Sequence, residues 1–401
     1  VNPAYGFYGD DVTGSVDALL QWQRAGAEAT LVLSPDDVAS ATTPVVGIAG
    51  TARSLPTDAM PAELTPAFES LRDARIVQYK ACSTVDSSPE VGSLGRALEL
   101  GRAAYGAAPV PLLFAQPDFG RYTVFGHHFA RDGSRVWRLD RQPTMARHPV
   151  TPMDESDIAL HLARQTSLRI GSVPWTSFAS LGTELRDPAY DAYVLDALCD
   201  DHVNDVGTAV AGLAGGETVF CMGSGGLTLG LARAVVRDPA LAPPAMAAAV
   251  DGPMLVVSGS GSGRTWQQVQ AAIAAGWVAV PLDAGAADRA AAAYRDGSDV
   301  VVFSATGSVS GIATDVSEAL ADVIRACHGV RPLPRLIVCG GDTSGRVLTR
   351  LGVRSIRIRA TPWGNAPLLG VTGGEMDGTD VVLKGGQVGG VDLFEQVRRG
   401  S

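Results

Sequence analysis

The strongest constraint on this chain is a rhythm repeated along nearly its whole length, in which a short apolar, β-rich run is followed by a polar or Gly-rich turn and then by a stretch of helical periodicity. It starts with AYGFYG, a helix from about Val12 to Arg24, ATLVL, PVVGIAG, a helix near 58–72 and RIVQY. It continues through PVPLLFAQP, AYVLDAL and ETVFCMG, the last feeding the helix LTLGLARAVV. Such alternation is the mark of parallel βαβ construction. The one departure is YTVFGHHFARDGSRVWRLD, which reads as a hairpin. Between Asp238 and Pro253 the sequence turns to DPALAPPAMAAAVDGP, dominated by Ala and Pro and without a period, which is the expected linker. Beyond it the rhythm restarts with MLVVSGSGS, WVAVPL, DVVVFSA, RLIVCG and VRSIRIRA. The expectation is an α/β fold of two layered domains, residues 1–237 and 254–401, with largely parallel sheets and an interdomain cleft; a chain of 401 residues is long enough for both.

Composition narrows the function. A net charge of −10 argues against a general basic surface for nucleic acid. No apolar run approaches the roughly eighteen residues of a membrane helix, and no basic-then-apolar leader opens the chain, so a soluble cytoplasmic protein is expected. Five cysteines form no CxxC pair, against both a disulfide framework and a zinc site. Of the 32 basic residues only Lys80 and Lys384 are lysine. Arginine cannot replace a compact ammonium at a crowded site or beside a phosphate oxygen, so these two positions call for a reason.

Several loops carry chemistry. In YGDDVTGSVD, Asp10 and Asp11 sit in the turn after a strand, at the edge where open α/β sheets place ligands. There they could hold a metal or take a proton from a substrate hydroxyl, while capping of the next helix by Asp11 or Thr13 is the structural alternative. In YKACSTVDSSPEVGSLG, Lys80 ends a strand, Ser83, Thr84 and Asp86 crowd the loop, and Ser88-Pro89-Glu90 reads as a helix start. This is a seat for a carboxylate or polyol. Between Asp118 and His148 six arginines stand against three aspartates, a local excess that would draw an anionic substrate and brings in His148.

The C-terminal half holds three Gly-rich turns. VVSGSGSGRTWQQV has Ser258 and Arg264 where a Walker loop needs Gly and Lys, and neither it nor CMGSGGLT completes GxGxxG. A nicotinamide-dependent oxidoreductase, one alternative class, therefore lacks its fingerprint. LIVCGGDTSGRVL, with Asp342, Thr343 and Ser344 opening a helix, and VVLKGGQVGG, with Lys384 after a strand, remain suited to phosphate through main-chain amides. Three such turns in one domain make a nucleotide site the economical reading.

Taken in order, GDDVTGSVD, YKACSTVDSSPEVGSLG, RHPVTPM, SGSGS, CGGDTSG and KGGQVGG resemble the four-carbon acid sugar kinase family over essentially the whole chain. The resemblance implies an N-terminal acid-sugar domain, a C-terminal nucleotide domain, and use of ATP with Mg²⁺ to phosphorylate tetronates or 3-oxo-tetronates. It places the ATP site on Ser258, Gly340, Gly341, Asp342, Thr343 and Gly386, beside Lys384, and the acid-sugar site on Asp10, Asp11, Arg53, Lys80, Ser83, Thr84 and Asp86. Asp10 or Asp11 is then the base, Arg53 and Lys80 meet the substrate's anionic and hydroxyl groups, and the metal ligands are unassigned. Asp342 stands where many relatives carry Glu, and KGGQVGG replaces a KSGNFG-like tail. The substrate is left open among D-threonate, D-erythronate, 3-oxo-tetronate and branched relatives such as 3-oxo-isoapionate. The implied partner is that small acid alone, with no nucleic acid or membrane and with a homo-oligomer open. The competing non-enzyme reading is a nucleotide-binding or effector-type protein on the same fold without turnover.

Overall fold

The computed structural model describes residues 3–236, 246–304 and 316–401, with the backbone alone at Asp342. Residues 238–245 of the expected linker lie outside that set. The chain divides into two compact units, Val1–Ala242 and Pro243–Ser401.

In the first unit the strands are β1 (Tyr5–Gly9), β2 (Ala29–Val32), β3 (Val45–Ala49), β4 (Ile76–Lys80), β5 (Val110–Leu113), β6 (Arg121–Val124), β7 (His127–Asp132), β8 (Arg135–Arg138), β9 (Ile170–Val173), β10 (Ala192–Leu195) and β11 (Val219–Gly223). The main sheet runs β2-β3-β1-β4-β11-β5-β10-β9 with all these pairs parallel. Strands such as VVGIA and IVQYK are buried at every position, as helices on both faces of a parallel sheet require. Parallel register carries every C-terminal strand end to one edge. Gly9 lies opposite both Ala49 and Lys80, and Lys80 opposite Gly223.

Two local expectations are corrected. The segment read as a hairpin is a three-stranded antiparallel sheet, β6-β7-β8. Its first turn puts both Phe125 and Gly126 at positive φ, the geometry that matches strand twist in a two-residue turn. No helix starts at Ser88. Its Oγ accepts from the amides of Glu90 and Val91 at 3.2 and 3.0 Å, closing a turn, while Val91 bridges to Pro56 and Gly92 takes φ +61°. These features break the helical path, and the helix begins at Leu94, capped by Ser93.

The second unit contains β12 (Leu255–Ser258), β13 (Val278–Pro281), β14 (Val300–Phe303), β15 (Arg335–Cys339), β16 (Ser355–Ala360), β17 (Leu368–Thr372) and β18 (Asp380–Lys384). Strands β13-β14-β12-β15-β18 are parallel. β17 runs antiparallel to β18 and β16, since the links flanking it are too short for a crossover helix. Register sets Ser258 opposite Cys339 and Cys339 opposite Lys384, so three strand ends and their Gly-rich turns share one edge.

Candidate functional site

Each unit gathers a polar cluster at the C-terminal edge of its parallel strands. In the first, β1 delivers Asp10 and Asp11, 2% and 5% exposed. Asp11 caps the Val12–Arg24 helix, its Oδ1 accepting from the Gly14 amide at 2.7 Å and its Oδ2 from Thr13 Oγ1 at 2.9 Å. Arg53 arrives from the loop after β3, which is fixed by Thr51 N–H donating to Glu63 at 3.0 Å and Ala52 N–H to the Tyr8 hydroxyl at 3.3 Å. Its guanidinium forks onto Asp10 through Nη2 (2.7 Å) and Nε (3.2 Å) and reaches Asp11 Oδ2 through Nη1 at 2.8 Å. Three of the five guanidinium N–H groups are thereby engaged and two are left.

The two carboxyl groups titrate apart. Burial raises Asp10 above the ordinary carboxylate value despite Arg53, and the neighbouring Asp11 charge adds to this. Burial also pushes on Asp11, but the charges of Arg53 and Lys80 with the hydrogen bonds from Thr13 and Gly14 outweigh it and hold that carboxyl low. Burial opposes the charge on Arg53, but the two carboxylates prevail and keep its proton firmly bound.

Lys80, 3% exposed at the end of β4, points at the same place. A Cβ on Gly14 would lie 2.4 Å from Asp11 Oδ1, 3.1 Å from Lys80 Nζ and 3.5 Å from Arg53 Nη2, so the space over that glycine is where the charges converge. The nearest carboxylate to Lys80 is Asp17, one turn beyond Gly14, with Oδ2 at 3.7 Å. Asp17 was absent from the expected site, although it closes the GDDVTGSVD motif and helical spacing from Gly14 puts both on one face.

The loop after Lys80 is held hard. Thr84 Oγ1 donates to Asp86 at 2.6 Å, and Val85 between them takes φ +58°, a region β-branched residues avoid. Two buried histidines clamp it. His128 Nε2 donates to the Ser83 carbonyl at 2.8 Å while its Nδ1 pairs with Thr123 Oγ1 at 2.9 Å, and His161 Nε2 lies 2.9 Å from Ser87 Oγ. Burial pushes both down to about 4, so both are neutral near pH 7. No signal in the sequence set these two apart from the other histidines.

His148 is placed differently. Its Nδ1 accepts from the Thr151 amide at 3.0 Å within its own turn, and among the described contacts none joins it to the Asp10–Lys80 cluster. Much of the arginine excess is likewise engaged locally: Arg138 and Arg141 pair with Asp140, Arg131 donates to the Tyr122 hydroxyl, and Arg135 stacks 3.8 Å over Trp137.

In the second unit Lys384 is fully buried, and its Nζ donates to Thr265 Oγ1 at 2.8 Å. Among the described side chains no carboxylate lies within ion-pair distance of it. Burial lowers its affinity for the proton, and the charge of Arg264 adds to the effect. Thr265 belongs to the Gly263–Ala274 helix, capped by Ser262, and donates to the Gly386 carbonyl at 3.0 Å. Gln268 on that helix donates to the carbonyls of Val388 and Gly390 at 3.0 and 2.8 Å, fixing the tail after Lys384. Sequence reasoning missed both, although Ser262 and Thr265 have cap spacing.

The other turns close in on the same edge. Gly340 N–H donates to the Lys384 carbonyl at 2.9 Å, and Gly259 N–H to the Cys339 carbonyl at 3.1 Å. Gly340 takes φ +120°, and a Cβ on Gly259 would stand 2.7 Å from Thr343 Oγ1. Ser258, 1% exposed, thus ends its strand in register with Cys339 and Lys384, and Gly341, Thr343 and Gly386 lie in the turns that follow those strand ends. The side chain of Asp342 lies outside what is described. A buried ammonium among glycine turns at strand ends is chemistry suited to an anion such as a phosphate.

The fold and its two clusters define an α/β protein with a charged polar cluster at the strand ends of each unit. Residues 5–231 match the family described as a sugar-binding N-terminal domain and residues 255–394 that described as a nucleotide-binding C-terminal domain. The chain belongs to the four-carbon acid sugar kinase family. It is 37% identical to the 3-oxo-isoapionate kinase of Paraburkholderia graminis, over 98% of this chain and 94% of the relative. With the 3-oxo-tetronate kinase of Methylobacterium radiotolerans it shares 30% over 98% and 97%, and with the D-threonate kinase of Bordetella bronchiseptica 27% over 98% and 96%. A Salmonella typhimurium LT2 protein solved as a putative tRNA synthase has the same fold, with a TM-score of 0.77 at 23% identity over 98% of each chain.

Proposed function

We propose that this protein transfers the γ-phosphoryl group of ATP to a hydroxyl of a small 3-oxo acid sugar, with branched 3-oxo-isoapionate preferred to linear 3-oxo-tetronate and D-threonate. The preference follows the order of identity among the named kinases. The observation that carries the nucleotide half is Lys384, a fully buried cation with a neutral hydroxyl as partner, at the meeting of three Gly-rich turns. An unpaired buried charge is costly unless a ligand of opposite sign completes it.

In this reading Ser258, Gly340, Gly341, Asp342, Thr343 and Gly386 line the phosphate seat and Lys384 neutralises its charge. Among the described residues no group of three potential metal ligands occurs. That fits Mg²⁺ held mainly by nucleotide phosphates, because this ion keeps several waters and takes one or two carboxylates at most in such sites. When bound, Mg·ATP supplies the phosphoryl group and part of the charge neutralisation that transfer depends on. The acceptor is held by Arg53 and Lys80, with Asp10 and Asp11 orienting Arg53, and by the Ser83, Thr84 and Asp86 loop. His148 shapes its own turn. We assign the reaction to the cytoplasm, where ATP is at hand. A homo-oligomer stays an open part of this proposal, read by light scattering.

The test is ADP release from the purified protein with 3-oxo-isoapionate, 3-oxo-tetronate, D-threonate and D-erythronate. The expected result is the highest kcat/KM with 3-oxo-isoapionate. Nucleotide binding without ADP release on any acid would return the chain to a binding protein, and a better linear substrate would overturn the preference.

A further inference from the structure

We propose that Asp17, not Asp10 or Asp11, takes the proton from the acceptor hydroxyl; this rests on the kinase reading above. A general base needs an oxygen with a free lone pair facing the substrate. Both oxygens of Asp10 accept from Arg53, at 2.7 and 3.2 Å, and its side chain is 2% exposed. Both oxygens of Asp11 are engaged as well, Oδ1 by the Gly14 amide and Oδ2 by Thr13 and Arg53, on a side chain 6% exposed. Removing Asp10 from that work would loosen Arg53, and removing Asp11 would also uncap the helix.

Asp17 has the opposite character. Its Oδ1 accepts from Gln21 Nε2 at 2.8 Å, whereas Oδ2 receives no hydrogen bond among the described residues, has Lys80 Nζ at 3.7 Å, and belongs to a side chain 24% exposed. It stands one turn past Gly14 on the same helix, facing the space over that glycine where Lys80, Arg53 and Asp11 converge. A second glycine keeps its other side clear. A Cβ on Gly225, at the start of the Gly225–Val235 helix, would fall 2.3 Å from Asp17 Oδ2 and 3.0 Å from Gln116 Nε2.

An acceptor hydroxyl lodged there meets Lys80 and Asp17 together. As its oxygen forms the new bond to the γ-phosphorus, the O–H bond breaks and the proton passes to Asp17 Oδ2. The bond from that phosphorus to the β-bridging oxygen breaks, ADP departs with the electron pair, and Lys80 offsets charge building on the nucleophile. Asp17 then returns its proton to solvent.

The experiment compares wild-type protein, Asp17→Asn and Asp17→Ala in ADP release, with acid-sugar and ATP binding followed by calorimetry. Asp17→Asn should lower kcat by about 100-fold or more while both affinities change less than about threefold. In Asp17→Ala, added formate should restore part of the lost turnover, because a small carboxylate can occupy the vacated space; this also decides the matter if the Asn variant folds poorly. Retention of more than about a tenth of wild-type kcat, an equal loss of acid-sugar binding, or an absence of formate rescue overturns the assignment of Asp17. Wild-type protein that releases no ADP with any of the four acids overturns the kinase reading itself, so the two failures are told apart.

Discussion

Replacing Lys384 by Met removes a buried positive charge and keeps an unbranched stem of similar length, so it separates the two things this residue could be doing. If Lys384 held the fold together, its loss would destabilise the free protein. The surroundings say otherwise. Lys384 has a hydroxyl partner and no described carboxylate, and Thr265 Oγ1, once released, still accepts from Ser262 Oγ at 3.0 Å and donates to the Gly386 carbonyl at 3.0 Å. Among the described residues, Thr265 is not left without partners. The free variant should therefore match the wild type within about 1 kcal/mol or exceed it, as replacement of poorly compensated buried charges often does.

Nucleotide binding should respond in the other direction. A hydrogen bond to a charged group contributes about 1.5–3 kcal/mol, so loss of the ammonium should weaken ATP by about ten- to hundredfold. At an ATP concentration of about 100 Kd the wild type gains about 2.7 kcal/mol from ligand linkage, and a variant weakened hundredfold gains only about 0.4 kcal/mol. Urea unfolding with and without ATP reads both quantities. The pH dependence carries the same sign. Because burial lowers the Lys384 pKa from 10.5, the unfolded chain holds the proton to higher pH than the folded one, and ligand-free wild type should gain stability relative to the Met variant as pH rises toward that value. A variant that loses more than about 2 kcal/mol without ATP, yet keeps the full increment with it, would refute the reasoning.

Arg53→Met leaves Asp10 and Asp11 buried without their cation and should cost about 3–5 kcal/mol in urea unfolding, with acid-sugar binding lost and ATP binding kept; unchanged stability would contradict the paired geometry. His128 and His161, pushed to about 4 from an ordinary 6.5, bind protons in the unfolded chain first, so stability should fall as pH drops from about 6.5 to about 4, by about 3 kcal/mol for each, and His128→Phe should flatten that profile. Gly225→Ala should lower kcat at least about tenfold through displacement of Asp17 while the helix itself tolerates Ala, as a thermal melt would show; full activity would mean that Asp17 need not stand where it does.

What could be read from the chain depended on whether a signal was local. IVQYK and VVGIA announce buried parallel strands because every side chain is compatible with a covered sheet, and strand direction then carries Asp10 and Lys80 to one edge. Lys80 and Lys384 stand out by scarcity, and both are buried at strand ends. Ser88-Pro89-Glu90 shows the limit of local reading: the same residues suit a helix start and a serine-closed turn, and the bridge from Val91 to distant Pro56 decides between them. Asp17 was in plain view within its motif, yet its distinction comes from what surrounds each oxygen, including Gly225 from another helix and Lys80 from another strand. The clamp of His128 on Ser83 is of the same kind, a contact between segments that nothing in either one foretells. Residue types that bring charge to a site are legible because chemistry restricts them, whereas the free lone pair that makes one carboxylate a base among several is a property of packing across the whole unit.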